Sequence, residues 1–380
     1  MKRFISPVAL LILIFLSFIE LSAIGLPESD TASAPPWSKP EWLDSSEAPT
    51  VLLRVSDSSP AQALSWSWNA PLNFAITGHL RGELVWKTPE KDFTLAKTAS
   101  ETALDINGND MSFKRALGER PFASLPGVLF PTTGEYELSL TGSGDVTFRV
   151  DGGRWGWLGA DQRGRDVASL FVRGVSVSLI VGLSATLIAT LLGTSLGLLS
   201  GYAGGVLDSL IMRAVDVLLS IPTLPILMVM AGILGKSLVT LVLILSLFSW
   251  MGTARMVRAV AMSLRDAPWV ENLRALGAKR SYIIFRHLLP EATPLLLANI
   301  ALGVPGVILA EAGLSFLGLS DPRLPSWGRM LHEAHTYGAF TKGAWWMILP
   351  PGFGIAAVCL IFMDIGRRLE EMSDPRLKSS

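Results

Sequence analysis

From residue 174 to residue 207 the chain carries no charged side chain. A helix needs about 20 consecutive apolar residues to cross the hydrocarbon core of a bilayer, so this run is long enough to span one. Four further uncharged runs follow, at residues 217–235, 237–254, 292–310 and 343–363. In lipid every backbone polar group must be satisfied within its own segment, so these runs read as helices. The whole chain is 50% hydrophobic and only 17% charged over 380 residues. That balance excludes a water-soluble globule of this size and points to a polytopic membrane protein. The formal net charge is +0, which implies no nucleic-acid partner.

At the start, Lys2-Arg3 precedes an uncharged run at residues 4–19, interrupted by Glu20 and resumed at 21–26. A cleaved signal peptide shares the basic start and short apolar core. The poor cleavage pattern around Ser22-Ala23-Ile24 favours an uncleaved membrane helix over residues 1–26. Counting it gives about six membrane-spanning helices.

The stretch between the runs at 237–254 and 292–310 cannot enter a membrane. Residues 255–290 hold seven Lys/Arg and two acids. The basic excess assigns this loop, and with it both termini, to the cytoplasmic side. Within it Trp269, Val270, Leu273 and Leu276 recur at helical spacing. Asp266 and Pro268 suit a helix start, and Gly277 suits a stop. A short amphipathic helix facing the cytosol needs a membrane surface or a partner protein to cover its apolar side.

Residues 27–157 differ in composition. Proline marks a linker at Pro35-Pro36 and Pro40, and short alternating stretches follow at 51–55, 74–77 and 83–86. Residues 136–150 read as a β-hairpin with Thr141-Gly142-Ser143-Gly144 at its turn. A β-sandwich inserted between helices 1 and 2, outside the cytoplasm, is the expected architecture. Trp37, Trp42, Trp66, Trp68 and Trp86 suit either its core or a ligand surface.

Other residues attract attention at membrane depth. Gly193, Gly197, Gly201 and Gly205 recur every fourth residue, a spacing that lets another helix approach closely. Pro222 and Pro225 are expected to bend their helix, and Pro294 and Pro305 lie inside the run at 292–310. Glu311 is an ionisable group near the end of an apolar run: burial there is costly and invites a functional reading, and a wetted position at the outer interface is the equal alternative. Gly235-Lys236-Ser237 resembles the end of a phosphate loop, but Met230 stands where the first glycine is required. Cys359 is the single cysteine, so no internal disulfide and no cysteine-based metal site can form. His332 and His335, spaced i, i+3, could share a helix face, but a solvated loop at residues 321–342 is the favoured reading, and no metal or cofactor is expected.

The chain from residue 158 to residue 377 resembles the second permease subunit of the dipeptide/oligopeptide/nickel class of ATP-binding-cassette importers. The resemblance rests on several segments in order. They are Leu158-Gly159-Ala160-Asp161 with Gly164-Arg165-Asp166-Val167, then Gly201-Tyr202-Ala203-Gly204-Gly205, then Met212-Arg213 with Asp216-Val217-Leu218-Leu219. Glu311-Ala312-Gly313-Leu314-Ser315-Phe316-Leu317-Gly318, Pro325-Ser326-Trp327-Gly328 and Asp374-Pro375-Arg376-Leu377 follow. The basic loop is similar to the permease E-A-A loop through Glu271, Gly277 and Arg286-His287-Leu288-Leu289-Pro290. Ala160 replaces a threonine, and Asn272 and Leu273 replace two alanines, Leu273 adding bulk on the expected docking face.

The resemblance implies a type I importer permease fold over residues 158–380, in a bacterial inner membrane and in contact with its lipid. It implies three kinds of partner: a companion permease subunit, cytoplasmic ATPase subunits and an extracytoplasmic solute-binding protein. It implies that the ATPase grips Trp269, Glu271, Leu273, Ala275, Leu276, Gly277, His287 and Pro290, with Gly277 making the turn and Pro290 opening the next membrane helix. Gly197, Gly201, Pro305 and Glu311 would serve helix packing or the gate. The transport subunit itself would be no enzyme. The competing reading is a membrane-anchored sensor or solute-binding protein that works through its external β domain.

Overall fold

The computed structural model describes residues 34–43, 47–118, 120 and 123–373. The expected first membrane helix at 1–26 and the closing segment at 374–377 lie outside the described residues. The chain divides between Ala168 and Ser169 into a sheet unit and a helical unit.

The sheet unit holds β1 (Val51–Ser56), β2 (Ala61–Trp66), β3 (Asn73–Lys87), β4 (Asp92–Asn107), α1 (Met111–Ala116), α2 (Leu125–Leu129) and β5 (Gly134–Asp151). These strands form one antiparallel sheet in the order β1-β5-β3-β4, with β2 also paired to β5. The two facing sheets of a sandwich are not what these strands build. The expected hairpin at 136–150 is also corrected. β5 is a single strand of 18 residues, paired with β3 from Asn73↔Asp151 to Lys87↔Glu137. Thr141-Gly142-Ser143-Gly144 lies inside it, opposite Gly82 and Leu80. A Cβ on Gly142 would stand 2.3 Å from the Arg81 carbonyl oxygen, and one on Gly82 2.0 Å from that of Thr141. The glycines therefore permit close approach of two long strands, not chain reversal. The reversal comes at Thr88–Lys91, where Thr88 and Lys91 bond across a short turn between β3 and β4.

Strand alternation carries large side chains to one core. Trp66, Phe74, Trp86, Tyr136 and Phe148 are fully buried there. The Trp86 ring lies edge-on to Phe148 at 4.9 Å and stacked on Tyr136 at 5.3 Å. Its indole N–H donates to the Leu129 carbonyl at 3.0 Å. Truncating such a buried tryptophan to alanine costs about 3–5 kcal/mol. The tryptophans thus divide: Trp66 and Trp86 fill the core, and Trp42 stands exposed.

The helical unit contains α3 (Val167–Ala203), α4 (Gly205–Ser220), α5 (Thr223–Leu234), α6 (Leu238–Arg265), α7 (Pro268–Ala275), α8 (Arg280–Phe316), α9 (Trp327–Thr336) and α10 (Leu349–Ser373). Among the described residues four helices are long and apolar enough to cross a membrane, or five if the bent pair α4–α5 is one span. That pair turns by 89° at Ile221-Pro222, in and just ahead of the run expected to be one span at 217–235. Proline at 222 removes a backbone donor and pushes Ile221 to an extended conformation (ψ 131°), which ends α4. Pro294 and Pro305 both lie inside α8 without ending it. The loop expected at 321–342 contains a helix, α9, capped by the Ser326 hydroxyl, which accepts from the Arg329 N–H. His332 and His335 lie on that helix, and the His332 ring contacts the Phe316 carbonyl at 2.6 Å.

Candidate functional site

The basic loop folds as α7, a tight turn and the first turns of α8. Pro268 sits in the first turn of α7, where a missing N–H costs nothing, and Glu271 lies there too, where the helix dipole favours an acid. Ahead of it the Arg265 guanidinium hydrogen-bonds Asp266 and holds that carboxyl below its usual range. Gly277 ends the helix. Its φ is +82°, its N–H donates to the Arg274 carbonyl, and Ala278 N–H donates to that of Leu273. This pair of bonds is the Schellman arrangement, which favours glycine because only glycine adopts positive φ without strain.

The chain then re-enters helix at Arg280, ten residues before Pro290. Pro290 does lie in the first turn of the α-helix proper, Leu289–Phe316, and the helical turns from Arg280 run directly into it. A π-turn at Ile284–Leu288 intervenes, with the Leu289 N–H bonded to the Ile284 carbonyl five residues back. The widened turn makes room for the Pro290 ring, which would crowd the carbonyl four residues before it. The loop and the membrane helix are therefore one continuous rod.

The inner face of this elbow is packed on its own chain. Val270, Ile283 and Leu288 are fully buried with Leu198 and Tyr202 of α3 and Val257 and Ala261 of α6. Leu273 is half-buried in the same cluster, so its bulk points into the protein and not outward as expected. The Arg274 guanidinium lies over the Tyr202 ring, 5.0 Å from its centroid. The expected four-residue apolar face is split. Val270 and Leu273 look inward, while Trp269 is 40% and Leu276 84% exposed. Tyr282 and Phe285 of α8 are exposed as well. His287 sits between two of these rings, 5.7 Å from Trp269 and 5.4 Å from Tyr282. Glu271, Ala275 and Pro290 are exposed.

The glycine stripe brings α3 against α6. A Cβ at Gly193, Gly197 or Gly201 would stand 2.6, 2.7 and 2.6 Å from the carbonyl oxygens of Trp250, Ala254 and Arg258. Both helices thus present positions four residues apart, the spacing of close small-residue packing. Gly205 leaves the stripe: it begins α4 with φ +59° and has no neighbour within 4 Å of such a Cβ. An ion pair that residue types alone do not reveal closes the same end. Arg258 of α6 donates to Asp208 of α4 through Nε and Nη2, and the Ser200 hydroxyl of α3 bonds Asp208 too. Arg255 pairs with Asp216 one turn away. The signal was an acid just past one apolar run and an arginine just past another, 50 residues apart.

Glu311 is 1% exposed and not at a wetted rim. Its oxygens accept from the Ser315 hydroxyl at 2.6 Å and the Ser178 hydroxyl of α3 at 3.5 Å. Pro305 is buried in α8, and its carbonyl faces the Cys359 thiol of α10 at 4.0 Å. Among the described residues no group of three or more His, Cys, Asp or Glu stands close enough to hold a metal.

Residues 193–379 match the model of the binding-protein-dependent transport system inner membrane component. The dipeptide permease DppC of Alkalihalophilus pseudofirmus is 37% identical over 224 residues, 59% of this chain and 73% of that one. The chain belongs to this permease family. Bacillus subtilis relatives agree: its dipeptide permease DppC is 34% identical over 58% of this chain and 69% of its own. Its oligopeptide permease OppC is 34% identical over 58% and 72%. The protein is thus the permease component of an ATP-binding-cassette importer, a multi-pass inner-membrane transport subunit and not an enzyme. Membership implies ATPase and binding-protein partners in general. The sheet unit lies outside the family match.

Proposed function

We propose that this chain forms half of a translocation path for peptides or a related small solute, beside a companion permease subunit. The named relatives are peptide permeases, which supports the solute class. A solute-binding protein delivers the cargo on the outer side, and the sheet unit stands on that side, with the basic loop and both termini in the cytoplasm.

Coupling to a separate ATPase runs through the elbow at residues 269–290. One observation carries this reading. The elbow's inner residues are packed on α3 and α6, while Trp269, Leu276, Tyr282 and Phe285 stand exposed around a polar rim. Aromatic and aliphatic anchors of this kind fill pockets on a partner. Glu271 is a polar anchor beside them. A force on the elbow is passed along the helical segment Arg280–Phe316, which leads straight from the loop into the membrane. ATP binding and hydrolysis then shift the permease between inward- and outward-open states. Gly197, Gly201, Pro305 and Glu311 keep the moving helices in register.

Replacing Leu276 by Asp in the reconstituted transporter tests the reading. The expected result is normal insertion with loss of ATPase association and of uptake. Unchanged ATPase association would refute it.

A further inference from the structure

Within the helical unit, α3 and α8 touch at one level of the membrane. A Cβ on Gly182 of α3 would stand 2.6 Å from the Ile308 side chain, and one on Gly303 of α8 3.1 Å from that of Thr186. Past this contact, toward the elbow, a groove of about 610 Å³ lies between the two helices. Leu187, Leu191 and Leu199 of α3 form one wall, and Ile284, Leu297 and Ile300 of α8 the other. Leu198 and Leu296 lie deeper, buried in one cluster with Val257 of α6. No charged side chain lines the groove, and hydroxyls are its only polar side-chain groups. Those of Ser195 and Thr293 are turned back on their own helices, donating to the Leu191 and Leu289 carbonyls at 2.8 Å.

Basic side chains gather at the elbow end of this groove. Ser281 lines it, with Lys279 and Arg280 just ahead in the chain, and Arg286 follows the lining residues Ile284 and Phe285. On the α3 side the Arg274 guanidinium lies over the Tyr202 ring, about one turn beyond Leu199. All four cations are exposed, and among the described residues none of them forms a salt bridge. Arg265, by contrast, is paired with Asp266. The other acids of the elbow, Glu271 and Glu291, line no part of the groove. From Ser281 to Ile300 α8 rises about 28 Å, against roughly 15 Å of hydrocarbon in one leaflet. The groove is therefore long enough for a phosphate at the elbow and an acyl chain behind it.

We propose that the groove between α3 and α8 holds an anionic phospholipid, one acyl chain along the leucine walls and its phosphate among Arg274, Lys279, Arg280 and Arg286. Two observations select this occupant together. Uncharged apolar walls on two membrane helices suit hydrocarbon, and unpaired cations at one end suit a negative headgroup, as in basic pockets between membrane helices generally. The proposal rests on the elbow lying at a membrane surface and not on its grip by the ATPase. A protein helix, from the companion subunit or from residues 1–26, is the competing occupant that the test separates.

The test uses the assembled transporter in phosphatidylcholine vesicles that contain a trace of phosphatidylglycerol or of phosphatidylcholine with a diazirine on one acyl chain. After irradiation, adducts are mapped by peptide mass spectrometry. Phosphatidylglycerol is expected to label residues 187–199 and 284–300 at least about fivefold more than phosphatidylcholine does. The exposed Leu360 and Met363 of α10 serve as the control and should show no such preference. Arg280→Gln with Arg286→Gln should remove most of the excess, and Arg280→Lys with Arg286→Lys should keep it. Equal labelling of the groove by the two lipids would overturn the proposal, as would an excess that survives the glutamine pair in full. Absence of groove adducts with either lipid would mean that a protein helix fills the groove, which also overturns it.

Discussion

Arg258 holds Asp208 by two parallel hydrogen bonds, Nε to Oδ1 at 2.5 Å and Nη2 to Oδ2 at 2.6 Å. The fork joins α6 to α4 at the end of the glycine stripe, and Ser200 ties in α3. Lysine is a point donor and cannot reproduce the fork. Arg258→Lys is expected to cost about 1–2 kcal/mol, since hydrogen bonds to charged groups contribute about 1.5–3 and this arginine is partly solvated. Melting of the purified protein in detergent measures it. The double variant Asp208→Ala/Arg258→Ala should be less destabilised than Arg258→Ala plus Asp208→Ala summed.

Gly197 faces the Ala254 carbonyl with no room for a methyl group. Gly197→Leu forces α3 and α6 apart, an overpacking effect of about 1–3 kcal/mol. Gly252, with nothing within 4 Å, accepts alanine freely. Thermal stability of the two variants should separate them. Equal melting temperatures would remove the stripe from the packing account.

At Gly277 the backbone requires positive φ, which costs an L-residue about 1–2 kcal/mol. Gly277→Pro adds a locked negative φ and loses the bond to Arg274. The expected outcome is normal membrane insertion, lost uptake and ATPase activity that no longer responds to cargo. Uptake assays and ATPase assays on the same vesicles check it.

Asp151 supplies a pH dependence. Burial pushes its carboxyl above the ordinary 3.8, against the opposing pull of Arg149. The folded sheet unit then holds this proton more tightly than the unfolded chain does. The contribution is fully present below 3.8 and is lost as pH rises through the raised value. Hydrogen-exchange protection of β5, corrected for intrinsic rates, should fall with rising pH in that window. Asp151→Asn should flatten the fall.

Sequence cues were reliable where one residue's own conformation decided the outcome. Charge-free runs at 174–207, 237–254, 292–310 and 343–363 fall in the four long apolar helices, and Gly277 marked a turn because few residues adopt its φ. They failed where a partner distant in the chain decided it. Thr141-Gly142-Ser143-Gly144 has turn composition, yet Gly82 opposite it makes a straight close approach possible. Pro290 does sit in the first turn of the α-helix Leu289–Phe316, but the π-turn joined to it left no mark in the residue types. Leu273 and Leu276 are equally apolar, and only the position of Val257 and Ala261 turns one inward. Asp208 and Arg258 meet because α4 and α6 do.

A photo-crosslinking amino acid at position 276, in native membranes containing every subunit, tests the central claim that this elbow meets the ATPase. The account predicts an adduct with the ATPase subunit that is lost in Gly277→Pro. Contradiction would be the absence of an ATPase adduct at 276, or labelling of that position by a membrane-impermeant reagent added outside the cell.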